Sequence, residues 1–192
     1  MTKDKQWGDK GLRLVILVMI MGLLVVAVGL FLPDEAQIER SIIIRSPVDQ
    51  VFRQVSRLPN HQSWAPWLRH DEDEKVNITF DGNVIGAGAG YQWHISADEA
   101  KSRLVVLESI HPHYFKARIT GISAWHGLSL WSFHKESPVT TQVTWSVVVE
   151  SRSLLGRYWI LLDELFRGPW LERGLTDLKE RSESALETSQ IN

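Results

Sequence analysis

Seven histidines, a scatter of carboxylates and no cysteine define the chemistry that this chain could attempt. His94 and Glu108 fall on neighbouring strand-like runs, where a carboxylate could orient an imidazole as a general base, and His134 is a third group of the same kind. Cross-strand polar pairing on an outer face also accounts for them and is the preferred reading. His111 and His113 flank Pro112 and could turn both rings to one side, but spacing fixes no third ligand, so no metal site is expected. Asp71, Glu72, Asp73 and Glu74 have the charge to attract a cation; they lack the alternating oxygen ligands and central glycine of a calcium loop and read as a solvated turn. No Gly-x-Ser-x-Gly or His-Glu-x-x-His motif is present. Without cysteine, thiol nucleophiles, thiolate metal sites and disulfide scaffolds are all excluded.

The remaining chemical signal is Gly86-x-Gly88-x-Gly90. A phosphate loop leads from a strand into a helix, so that free amides and the helix N-terminus meet the anion. Here the glycines lead into Tyr91-Gln92-Trp93-His94-Ile95, an alternating aromatic run, and neither Gly-Lys-Ser/Thr nor Gly-x-Gly-x-x-Gly follows. The reading is a link that needs positive φ and a close approach between strands. No cofactor is implied.

The elements that would position these groups follow from periodicity. Ile38, Ile42 and Ile44 alternate as on a half-buried strand. Val48, Val51, Phe52, Val55 and Leu58 then form the stripe of an amphipathic helix, with Ser46 placed as N-cap, Pro47 at its first position and Asp49 near its positive end. Pro59 closes it, and a short helical piece carrying Trp64 and Trp67 is limited by Pro66. Six strand-like runs come next, at 75–81, 91–98, 102–110, 114–122, 127–136 and 140–151, with short links that imply antiparallel neighbours. A helical period returns with Leu161, Leu165, Leu171, Leu175 and Leu178, and Gly168-Pro169 should bend or interrupt that helix.

Ahead of all this lies an uncharged apolar run from Leu14 to Leu32, about 28 Å long at roughly 1.5 Å per residue, enough to span a bilayer. A cleavable signal peptide is the competitor, but the run is long for one and Phe31 to Ala36 match a small-residue cleavage site poorly. Four basic residues precede the span against two acidic ones, and Asp34 and Glu35 follow it. The N-terminus is therefore expected in the cytoplasm and the body outside, in a cell or inner membrane crossed once, and periplasmic in a Gram-negative cell. That body is mildly acidic and has no basic stripe, so nucleic acid is not an expected partner. The expected organisation is a basic tail (1–13), a transmembrane helix (14–32), a linker (33–36), one domain (37–183) and a flexible tail (184–192).

The order of elements suits an α+β helix-grip fold, with a curved antiparallel sheet of about seven strands wrapped around a long C-terminal helix and two short helices after the first strand. Gly82-x3-Gly86-x-Gly88-x-Gly90-x2-Trp93 is preceded by Trp64-Ala65-Pro66-Trp67. Thr141-x-Val143-x-Trp145 and Gly174-Leu175-x2-Leu178-Lys179 follow it, and the chain opens with Ile42-x-Ile44-x-Ser46-Pro47-x3-Val51-Phe52. Together these resemble the polyketide cyclase/dehydrase-like branch of the START-related helix-grip (SRPBCC) superfamily, over about residues 37–183. The resemblance implies a deep, mainly apolar cavity used for lipids, sterols, polyketides or other hydrophobic molecules. It implies no reaction, because catalytic residues are not shared across members.

The residues expected around such a cavity are Trp64, Trp67, Tyr91, Trp93, Ile95, Val143, Trp145, Val147, Leu171, Leu175 and Leu178, with simple core packing as the alternative for each. Trp7, Trp159 and Trp170 are candidates for a membrane interface. The expected function is a membrane-anchored START-like domain that binds a hydrophobic small molecule or lipid between sheet and C-terminal helix. One alternative is a cyclase or dehydrase-like enzyme acting in the same cavity, and another is a partner-binding module without a ligand. Binding is preferred to catalysis because no catalytic constellation declares itself.

Overall fold

A computed structural model describes residues 3–68, 76–95, 101–122, 125–151 and 153–190. Helix α1 (Lys3–Phe31) is followed by β1 (Glu35–Ile44), α2 (Val48–Ser56) and two 3-10 segments, Leu58–Ser63 and Pro66–Leu68. Strands β2 (Val76–Phe80), β3 (Gly90–Ile95), β4 (Ser102–Ile110), β5 (Tyr114–Ile122), β6 (Trp125–Ser137) and β7 (Thr140–Glu150) then lead to α3 (Leu154–Gln190). The seven strands form one antiparallel sheet in the order β1-β7-β6-β5-β4-β3-β2. Every neighbour from β2 to β7 is next in sequence. Strand β1 alone is paired remotely, with Glu35 opposite Glu150 and Ile44 opposite Thr141, so α2 and the 3-10 segments carry the chain from one edge of the sheet to the other.

The start of α2 differs from expectation by one position. Pro47 is the N-cap, and its carbonyl accepts from the amides of Gln50 at 2.9 Å and Val51 at 3.1 Å. Ser46 makes no cap: its carbonyl accepts from the Thr141 hydroxyl at 2.8 Å, and its own hydroxyl is buried without a partner. Tying the carbonyl to β7 fixes the backbone before the helix and takes the serine away from the first amides. Asp49 remains in the first turn.

Helix α3 runs through Pro169 without interruption. A proline inside a helix costs roughly 3 kcal/mol, while each fully buried leucine contributes about 1.5–3 kcal/mol. Leu171, Leu175 and Leu178 are all buried just beyond the proline, one stripe laid on the sheet, so their packing outweighs the lost hydrogen bond. The Arg40–Glu172 and Arg45–Glu183 ion pairs between β1 and α3 are exposed, and pairs of that kind add little.

The glycine-rich link before β3 is a corner. Gly82, Gly86 and Gly88 have φ between 84° and 89°, where side chains are disfavoured. The Gly88 amide donates to Val106 O at 2.9 Å, and a Cβ on Gly90 would lie 2.8 Å from Leu104 O. The amide that a phosphate loop would leave open is already committed to β4.

Within α1, Arg13–Phe31 is a 19-residue stretch long and apolar enough to cross a membrane, and its apolar side chains are nearly all exposed.

Candidate functional site

The inner face of the sheet, α2, the 3-10 segments and α3 enclose one continuous cluster of buried side chains. Alternation along β3 directs Tyr91 and Trp93 inward, and along β7 it directs Val143, Trp145 and Val147 inward. Trp64, just past the first 3-10 segment, and Trp67, on the second, join them, and the leucine stripe of α3 packs on the same cluster. Ten of the eleven residues expected around a cavity are therefore brought together; the side chain of Ile95 lies outside the described residues.

Tryptophans dominate the middle of this cluster. Trp131 and Trp145 face each other across β6 and β7 and stack, with centroids 4.4 Å apart and planes 14° from parallel. Trp64 meets Trp131 edge-on at 5.4 Å, and Trp170 tilts against Trp145 at 5.5 Å and Trp67 at 5.8 Å. Both stacked indoles donate to one acceptor, the buried Ser129 hydroxyl, at 2.9 Å each. Trp64 donates to Gln54 O at 3.0 Å. A buried indole keeps its N–H satisfied in this way while giving its large apolar surface to the core. Gly174 lets α3 approach: a Cβ there would lie 2.8 Å from Trp145 Cζ3 and 3.0 Å from the Pro66 ring.

A second polar chain threading the cluster runs through His61, which the first 3-10 segment turns inward three residues after Leu58 and three before Trp64. His61 Nε2 donates to Val55 O at 2.7 Å, which leaves Nδ1 as acceptor for the Tyr91 hydroxyl at 3.0 Å. The Tyr91 oxygen in turn accepts from Trp67 Nε1 at 2.7 Å. Each group thus uses the donor or acceptor that its neighbour lacks, and the Val55 carbonyl sets the tautomer. Burial lowers the His61 pKa to about 4, against the opposing pull of the Val55 carbonyl. Burial likewise pushes the Tyr91 phenol up, with the Trp67 hydrogen bond acting the other way. At neutral pH both stay uncharged, so the chain orients rings and does not supply a charge.

Other expected groups stand apart from this core. His94 lies opposite Asn77 on β2, its Nε2 3.4 Å from the Asn77 amide nitrogen, while Glu108 lies opposite Lys116 on β5. The register that pairs Trp93 with Ser102 carries His94 and Glu108 away from each other, and they form no dyad. His134 is exposed, 4.0 Å from Glu136. The catalytic reading built on these three residues loses its basis. His111 pairs with Asp49 at 3.2 Å and sets its ring edge against Phe52. Among the described residues no group of three ligating side chains could hold a metal ion. Residues 71–74 and the Trp7 side chain lie outside the described residues. Trp170 packs on the core rather than on a membrane-facing surface, because the leucine stripe beside it turns that face of α3 inward.

His61 and Ser129 were not singled out from sequence, although periodicity held both. Leu58, His61 and Trp64 follow the three-residue spacing of a 3-10 turn, and Ser129 alternates with Trp131 and Phe133 along β6.

The pattern of the family described as "Polyketide cyclase / dehydrase and lipid transport" matches residues 35–183. The chain belongs to this family. Among solved structures it is similar to a norcoclaurine synthase point mutant from Thalictrum flavum bound to a transition-state analogue, with a TM-score of 0.58 and 14% identity over 81% of this chain and 96% of that one. It is also similar to a protein of unknown function from Staphylococcus aureus, with a TM-score of 0.56 and 13% identity over 82% of this chain and 97% of that one. At these identities the likeness shows the helix-grip fold alone. No curated protein matches the chain.

Proposed function

We propose that the polyketide cyclase-like domain binds a hydrophobic small molecule or lipid between its sheet and α3, and that α1 tethers it to a membrane. The observation that carries this reading is the character of the inner surface. Sheet, 3-10 segments and α3 meet over aromatic and aliphatic side chains, and three polar groups set among them, His61, Tyr91 and Ser129, are uncharged and hydrogen-bonded. Such a surface receives apolar matter and rejects charge. The family's description includes lipid transport, and a tether suits a ligand that partitions into the bilayer.

In this reading the tryptophans around Trp145 and the leucine stripe of α3 supply the contact area. The domain proposed for 37–183 takes in Glu35 and Ala36 as well, since β1 already pairs with β7 there, and only residues 33–34 are left as a link to α1. The test is native mass spectrometry of the full chain released from detergent, together with organic extraction and analysis of what it retains. Apolar cargo bound in stoichiometric amount is the expected result, diminished in a variant carrying Leu175→Trp, whose larger side chain would compete for the sheet–α3 interface where the cargo is proposed to sit. Retention that is absent in the parent protein, or equal in parent and variant, would reject the reading.

A further inference from the structure

Among the described side chains, α3 joins the core from Trp170 and Leu171 onward, and Leu154 to Trp159 in its first turns are not part of it. They dock instead on the end of α1. Gly29 sits so close that a Cβ there would lie 3.0 Å from both Leu154 Cδ1 and Tyr158 Cε2. The Tyr158 hydroxyl donates to Val25 O, and Arg157 Nη1 donates to Leu30 O and Leu32 O at 3.3 Å each. Val25 lies six residues before the end of α1 at Phe31, about 9 Å deeper along the helix at roughly 1.5 Å per residue.

Next to these contacts Leu155 and Trp159, one helical turn apart, are 73% and 67% exposed. Of the 13 residues from 154 to 166, nine are aliphatic or aromatic. An apolar, Trp- and Tyr-bearing segment held beside the last turns of an apolar helix has the composition and the depth of an interfacial element, which sinks about 5–10 Å into a bilayer. Arg157 fits that setting: it satisfies carbonyls that the end of α1 leaves open and carries the charge favoured at a helix C-terminus.

We infer that the N-terminal turns of α3 form a second membrane contact, in which Leu155 and Trp159 enter the leaflet at the C-terminal end of α1. This rests on the proposed spanning of the bilayer by α1, with which the patch is continuous. Two contacts, one spanning and one lying in the interface, fix the domain's orientation where a single flexible tether would leave it free to tumble. They hold the end of the sheet that bears Glu35 and Glu150 against the lipid.

The chain has no cysteine, so single exposed positions can be labelled cleanly. The variants Leu24→Cys, Val139→Cys, Leu155→Cys and Trp159→Cys, each carrying a bimane, are reconstituted as full chains into phosphatidylcholine vesicles. Some of the lipid bears a nitroxide on its acyl chain, and iodide serves as the aqueous quencher. Val139 lies in the turn at the far end of β7, about 36 Å from Glu150 along the strand at roughly 3.3 Å per residue. Labels at 155 and 159 should be quenched several-fold more by lipid than by iodide, as at 24, and the label at 139 should show the reverse.

If 24 responds to lipid while 155 and 159 respond like 139, the span stands and the second contact is refuted. Shielding of 155 and 159 from both quenchers would place protein against the patch and refute it as well. A label at 24 that responds to iodide overturns the spanning reading and this inference together.

Discussion

Protonating His61 would turn Nδ1 into a second donor facing the Tyr91 hydroxyl, whose oxygen already receives Trp67. The Tyr91 proton would have to leave its acceptor, and a charge would sit in an apolar core. Because the folded-state pKa is lowered from 6.5 to about 4, the unfolded chain takes up this proton first. The stability that His61 contributes is therefore complete above pH 6.5 and is lost as pH falls from 6.5 to about 4, up to about 3 kcal/mol over the whole window. Urea unfolding of the full chain in detergent, followed by tryptophan fluorescence across that range, should show this slope. His61→Gln should be less stable at pH 7 and should flatten the curve between those limits; an unchanged slope would mean that His61 is not the responsible group. The sequence concealed this residue because a histidine next to a proline-limited turn carries no motif. Its role comes from Tyr91, thirty positions away, through a hydrogen bond that only the fold creates.

At the scale of elements, the approach of α3 to the sheet depends on the missing side chain of Gly174. Gly174→Ala should be destabilising in spite of alanine's better helix propensity, because its methyl would meet two rigid rings, Trp145 and Pro66. Overpacking of this kind costs about 1–3 kcal/mol and should exceed the gain of about 1 kcal/mol from replacing a helical glycine. Chemical denaturation of the variant against the parent decides the sign. Elements as such were readable: the strand runs at 102–110 and 114–122 match β4 and β5, and the apolar spacing from Val48 to Val55 matches α2. Registers were not. His94 and Glu108 looked like neighbours because their strands are neighbours, but the offset between β3 and β4 is set by the glycine corner and by inward packing of Tyr91 and Trp93. Of the bend or interruption expected at Gly168-Pro169, the interruption did not occur, since local propensity does not register three leucines buried downstream.

For the whole molecule, the proposed anchoring makes a direct prediction. The full chain should stay with membranes after alkaline carbonate washing and be released by detergent, and a phosphatase fused to its C-terminus should be active only if that end lies outside the cytoplasm. Release by carbonate would reduce α1 to a peripheral contact. The apolar run behind this prediction was legible from residue types alone, as was the helix-grip architecture from the order of elements. The contact between α1 and the start of α3 was hidden, because it joins Gly29 to Leu154 and Tyr158 across about two thirds of the sequence.

The pairing of β1 with β7 also sets a schedule for synthesis. The strand nearest the N-terminal helix is translated before any of its sheet neighbours and must wait for Thr140–Glu150 before its ladder can close. Until then its isoleucines and unmatched amides form an open edge of the sort that invites aggregation. A nascent chain halted before residue 140 would be a substrate for quality-control proteases, and ribosome pausing ahead of β7 would lower the yield of this protein more than pausing after it.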